Sequence, residues 1–198
     1  MACVSIVYLL YVMINLFIVD PGAGTFLSHK ASLERTVKPA VWLTVMYVHA
    51  GFASIAMVSG LVNLSRRSYE KHRRFHRVNG YVYVSSVFLV VLTSGYMAPY
   101  ATGGKLSSMG FNLLNLLWLA LTAGALVHIL KKRIVQHRRW MMRSYALCYT
   151  NMMIHVFTYV LHQLIGIAYE TSYICGLYGS IVLLAVVPDI IFRLNKSS

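Results

Sequence analysis

Eight histidines are the residues of this chain best equipped for chemistry, because imidazole can ligate iron, relay a proton or hydrogen-bond through either nitrogen near neutral pH. His49, His155 and His162 stand inside long apolar runs. His72, His76 and His137 stand among arginines at the edges of such runs, with His128 close by, and His29 lies in a connecting segment. An ionisable group in hydrocarbon costs a few kcal/mol, so it faces other helices and often marks a working site. For the apolar trio three chemistries are open: interhelical hydrogen bonding, axial ligation of a b-type haem, and a proton or ion path. His155 and His162 cannot serve one iron, since seven helical residues separate them by ~10 Å. The haem reading therefore takes His49 as one ligand and His162 as the other, with His155 in reserve. The second group, His76 and His137 with Arg73, Arg77, Arg138 and Arg143, offers guanidinium forks that suit a propionate, a quinone headgroup or a phospholipid phosphate. Topology and anchoring at the membrane surface explain the same residues without a bound ligand.

Other chemistry is poorly supplied. Cys3, Cys148 and Cys175 fall on separate runs with no paired spacing; neither a disulfide framework nor a soft-metal motif follows, and small apolar packing accounts for them. There is no Gly-rich phosphate loop, no Gly-x-Ser-x-Gly elbow and no His-Glu-x-x-His pair. Five acids in the whole chain leave little for paired-carboxylate catalysis. No metal beyond a haem iron is expected, and whether the protein is an enzyme stays open.

The elements that must position these residues follow from composition. Of 198 residues, 58% are apolar and 12% charged, against about 45–50% and ~25% in soluble domains. The net charge of +13 would fit a nucleic-acid partner only if the charges lay over a polar surface; here they cluster between apolar runs, which excludes that class. The expected fold is an all-α integral membrane bundle forming a single domain over residues 1–198. Six runs are near the ~20 residues a spanning helix needs: Ala2–Val19, Val41–Leu64, Gly80–Ala98, Met109–Leu130, Met141–Ala168 and Tyr173–Leu194. They are continuous rather than alternating, which excludes a barrel. The first lacks a positive n-region and a small-x-small cleavage site, so it reads as a span rather than a signal peptide.

Charge orients the spans. Six Lys or Arg lie in "SRRSYEKHRRFHR" between spans two and three, six more in "KKRIVQHRRWMMR" between spans four and five, and Arg193 and Lys196 in the tail. Only Lys30, Arg35, Lys38 and Lys105 fall on the other side. Fourteen against four puts both termini in the cytoplasm of a multi-pass plasma-membrane protein, with the basic loops against anionic headgroups of the inner leaflet.

Within the spans, Ser144, Cys148, Asn151, His155, Thr158 and His162 recur at helical spacing and predict one continuous face on span five. A seam of His49, Ala53, Ala56, Gly60 and Asn63 on span two is its expected partner, its small residues allowing close approach. Asn112, Asn115 and Thr122 form a similar face on span four. Asp189 lies four residues before Arg193, the spacing of a local ion pair.

The two basic loops match each other. Arg66-Arg67 with His72-Arg73-Arg74-Phe75 aligns with Lys131-Lys132 and His137-Arg138-Arg139-Trp140; a slide of four instead pairs His76-Arg77 with His137-Arg138. Either register suggests a duplicated helix–basic loop–helix hairpin. His49 with Gly51, "HRVNGYVYV" from His76, Gly103-Gly104 before Phe111 and Trp118, and "HRRWMMRSYALCY" from His137 together resemble the bacterial membrane-protein family known as domain of unknown function 2306. The likeness covers about residues 45–160, and the His-Arg-Arg-Trp-Met-x-Arg-Ser-Tyr-Ala run is its most specific part. The resemblance implies a multi-pass plasma-membrane protein and brings no reaction or ligand. Members often carry an Arg in mid-span five, where this chain has His155. Three functions fit these residues: a small His-ligated b-haem or quinone-linked redox protein, a non-enzymatic subunit or assembly factor with a membrane-protein partner, and a transporter.

The charge count makes a direct prediction. Reporter fusions after Leu64 and Leu130 read cytoplasmic and a fusion near Lys105 reads external; an external reading at either basic loop contradicts the orientation.

Overall fold

The computed structural model describes residues 2–20, 24 and 38–194, where all regular structure is helical and no strand is found. Helix α1 (Ala2–Ile14) ends in a π-helical turn, Asn15–Val19; α2 covers Pro39–Leu64, α3 Arg66–Lys71, α4 Arg73–Met97 and α5 Gly104–Leu130. Then come α6 (Ile134–Ala146), a 3₁₀ turn at Leu147–Tyr149, α7 (Thr150–Tyr159), a π turn at Val160–Leu164 and α8 (Tyr169–Leu194). His29, Lys30, Arg35 and Lys196 lie outside the described residues.

Among the described residues four helices are long and apolar enough to cross a bilayer: Pro39–Leu64, Arg73–Tyr100, Gly104–Leu130 and Tyr169–Arg193. They correspond to expected spans two, three, four and six. The later three begin before the apolar runs do, because helix continues through the polar residues that border hydrocarbon. The first expected span is the shorter apolar helix Cys3–Val19. The fifth is a succession of α, 3₁₀, α and π pieces.

The chain divides into two compact units, one ending at Ser108 and one beginning at Met109. In the first, α2 and α4 pack along their lengths. Their buried faces are Ala56, Met57, Ser59, Gly60 and Asn63 on α2 and Tyr83, Ser86, Val87, Val90 and Val91 on α4. The expected small-residue seam of α2 is thus a packing face, and α4 covers it. The turn into α5 uses Gly103 and Gly104 at φ +83° and +63°, left-handed values that cost a Cβ-bearing residue ~1–2 kcal/mol.

In the second unit α7 packs on α8. Gly176 lets the crossing close: a Cβ there would lie 3.1 Å from the Ile154 carbonyl and 3.2 Å from Thr158 Oγ1. The buried face of this segment is Ser144, Leu147, Thr150, Ile154 and Thr158, while Asn151 and His155 are exposed. The expected continuous stripe is therefore broken. The 3₁₀ turn at Leu147–Tyr149 advances about 120° per residue rather than about 100°, so three residues rotate everything downstream by roughly 60°. Of the expected span-four face, Asn115 and Thr122 are buried and Asn112 is exposed. Helix α5 ends in a Schellman arrangement: Arg133 N–H bonds the His128 carbonyl and Lys132 N–H that of Ile129, both at 2.9 Å, with Lys132 at φ +57°. The indole of Trp140 on α6 then lies over Gly124 of α5, 2.4 Å from where a Cβ would stand.

That fit predicts a selective cost. Gly124→Ala lowers stability by about 1–3 kcal/mol, Trp140→Leu in the same chain relieves it, and Gly51→Ala, with open space at its Cβ position, does not destabilise. Thermal or denaturant unfolding in detergent checks the set; additive losses for the Gly124/Trp140 pair would contradict the contact.

Candidate functional site

Three histidines engage an oxygen through Nδ1. His49 Nδ1 lies 3.0 Å from Thr93 Oγ1, joining α2 to α4. The Thr93 hydroxyl is itself 2.8 and 2.9 Å from the Leu89 and Val90 carbonyls. A hydroxyl has one proton: where it goes to either carbonyl, His49 Nδ1–H donates to the oxygen that remains, and where it goes to the ring, Nδ1 accepts. His137 Nδ1 donates to the Ala125 carbonyl and His162 Nδ1 to the Ile167 carbonyl, both at 2.8 Å. In the neutral ring this tautomer leaves Nε2 with its lone pair.

The backbone around His162 is built to hold that bond. The residue sits in the π turn Val160–Leu164, an insertion frequent at functional sites. Gly166, at φ +83°, turns the chain back so that the Ile167 carbonyl meets the ring. Tyr169 presses edge-on to the imidazole with centroids 5.6 Å apart. His155 is different: the register shift after the 3₁₀ turn leaves it exposed on α7. His49 belongs to the first unit and His155 and His162 to the second.

The arginine-rich group divides likewise, with Arg73, His76 and Arg77 in the first unit and His137, Arg138 and Arg143 in the second. Arg143 is already neutralised: its Nε and Nη2 donate to Asp189 Oδ1 at 2.9 and 2.7 Å. The expected Asp189–Arg193 pair is therefore replaced by one between α6 and α8, in which a planar guanidinium gives two donors to one oxygen. Arg139, which the sequence reading left out of the group, lies 4.6 Å over the Phe192 ring. Arg139 Nε and His128 Nδ1 are buried without a hydrogen-bond partner, and His128 stands 5.5 Å from the Trp140 ring.

Sequence reasoning also missed Asn79, which ties α4 to α2 at two points. Its Nδ2 donates to the Ser59 carbonyl at 2.8 Å and to Asn63 Oδ1 at 2.9 Å. Its position opposite the small-residue end of α2, in the quoted "HRVNG" run, was the available signal. Cys3 and Cys175 are exposed and Cys148 half-buried, so close packing does not explain them. An exposed apolar helix surface tolerates cysteine as a small hydrophobe. Among the described residues no three His, Cys, Asp or Glu gather as a metal site.

Comparison with known proteins gives one match: residues 46–192 fit the family described as "Predicted membrane protein (DUF2306)". No curated protein and no solved structure matches the chain.

Asn79→Ala, which removes both ties from α4 to α2, weakens the fold by about 0.6–1.7 kcal/mol, the range of interhelical hydrogen bonds in membranes. Unfolding in mixed micelles measures it. A loss no larger than that of an exposed control such as Tyr81→Ala (Tyr81 is 63% exposed) would show that the bonds carry no stability.

Proposed function

Since the chain belongs to the DUF2306 family of predicted membrane proteins, we propose that it is a small redox protein of the plasma membrane, holding b-type haem through imidazole Nε2 atoms. The observation that supports this is that His49, His137 and His162 each engage an oxygen through Nδ1, which leaves Nε2 as the nitrogen not so engaged. Metal-ligating histidines donate their other ring N–H to a carbonyl or carboxylate, which fixes the ring and raises its basicity; His137 and His162 donate to backbone carbonyls, and His49 Nδ1 faces a hydroxyl. His49 in the first unit and His162 in the second are each a ligand candidate, His162 being braced by a π turn, Gly166 and Tyr169, with His155 in reserve. Haem iron supplies one-electron exchange, and its axial ligands and their hydrogen bonds tune its potential; quinone is the mobile electron carrier that a bilayer protein can reach.

The chain that carries these rings is read as six spans with both termini cytoplasmic, on the fourteen-to-four distribution of basic residues. A duplicated hairpin is part of the same reading. His76 and His137 are each the fourth residue of their helices, α4 starting at Arg73 and α6 at Ile134. The shift that superposes them also carries Asn79 onto Trp140 and Asn63 onto Gly124, two pairs that touch in their respective hairpins. This supports the register that pairs His76-Arg77 with His137-Arg138.

Protein purified in mild detergent from haem-replete cells tests the proposal. The expected result is a b-type spectrum that sharpens on reduction, with bound haem lost or its bands shifted in His49→Ala and in His162→Ala. A colourless protein that also fails to take up added haem contradicts it. The Nδ1 bonds are then structural ties, between helices at His49 and His137 and to the following loop at His162, and the reading becomes a non-enzymatic membrane subunit.

A further inference from the structure

We infer that the elbow between α2 and α4 is a binding groove for the phosphate of an anionic phospholipid, separate from the His49 and His162 sites and sharing only Arg73 with the arginine-rich group. The groove has a volume of about 560 Å³ and is lined by Lys71, His72, Arg73, Arg74, Phe75 and Val78. Its polar lining is cationic or imidazole, and no carboxylate takes part in it. Phe75 and Val78 are 54% and 56% exposed, although each is large and apolar. They stand at the start of Arg73–Tyr100, a helix able to span the bilayer, so the change from charge to hydrocarbon happens within this groove. Guanidinium forks suit phosphate oxygens, and the two apolar side chains give the first methylenes of an acyl chain a surface. A diacyl lipid with a net negative headgroup matches both halves; a soluble phosphate matches only one.

Hairpin geometry alone does not require this composition. At the equivalent helix start in the second unit, Ile134 and Val135 stand where Arg73 and Arg74 stand here, and both are more than half exposed. The connection there is the short Lys131–Arg133 turn, whereas the first elbow inserts α3. The second elbow is thus basic but has Ile134 and Val135 in place of the Arg pair, and it serves as an internal control for charge alone.

The test uses the full chain in detergent, titrated with fluorescent phosphatidylglycerol and, separately, fluorescent phosphatidylcholine. Arg73→Gln with Arg74→Gln weakens phosphatidylglycerol binding about fivefold per side chain, the equivalent of ~1 kcal/mol for a basic residue at an anionic surface. Phosphatidylcholine binding stays unchanged, and Lys131→Gln with Lys132→Gln has a markedly smaller effect. Equal losses from the two pairs would mean diffuse charge attraction and overturn the groove. Glycerol phosphate is expected to compete weakly; competition on a par with the lipid would overturn the lipid as occupant and identify a free phosphate site. Should the Arg pair fail to fold, Lys71→Gln with Phe75→Ser repeats the test on the groove's rim, and unchanged affinity in that variant overturns the proposal.

Discussion

In hydrocarbon a polar group has no water to fall back on, and that constraint shapes this protein at every level. Backbone satisfaction confines the spans to helices. Side-chain hydroxyls turn back on their own helix: Thr44, Ser54, Thr93, Thr122 and Ser180 each bond the carbonyl four residues earlier. Once a hydroxyl proton is committed this way, the oxygen can only accept. A side chain on the neighbouring helix then completes the set, as His49 does at Thr93. Where the partner is a carbonyl, as at His137 and His162, Nδ1 must donate and Nε2 is the nitrogen that remains for chemistry. Asn79, with two acceptors on α2, is the other form of the solution.

Close approach is the second consequence. Lipid is as apolar as leucine, so burial of apolar area gives helices little reason to associate, and tight packing must supply the attraction. Glycine permits it where helices cross: Gly176 beneath α7, Gly124 beneath the Trp140 indole, and Gly110 where a Cβ would meet the Leu177 side chain at 2.7 Å. The Arg143–Asp189 pair adds a charged tie between α6 and α8. Its side chains are 29% and 43% exposed, and pairs with that much exposure contribute little stability. Its clearer effect is to neutralise Arg143, leaving other basic groups to meet anions.

Much of this was legible in the residues. Apolar run length gives the helices, the Gly103-Gly104 pair gives the turn before α5, and the small residues of α2 mark a packing face. What periodicity cannot say is which helix covers a face; Ala56, Gly60 and Asn63 read as a seam, yet nothing in their spacing points to α4. The span-five stripe failed for a different reason. Helical spacing assumes about 3.6 residues per turn throughout, and a single 3₁₀ turn moved Asn151 and His155 off the buried face while bringing on Thr150 and Ile154. Asp189 was assigned the nearest cation in sequence, whereas Arg143, 46 residues away, offers two donors at once. The bracing of His162 depends on a π turn and on Gly166 in the left-handed region, and no side-chain pattern announces a π turn.

The account rests on which nitrogen of His49 and His162 carries the proton. Nitrogen-15 NMR of histidine-labelled protein in lipid nanodiscs, with signals assigned by single substitution, reads this directly. The prediction is a protonated Nδ1 and a bare Nε2 in both residues while no ligand is bound. A protonated Nε2 with a bare Nδ1 would contradict the hydrogen bond from His162 to the Ile167 carbonyl, and at both rings it would remove the lone pair that iron ligation needs.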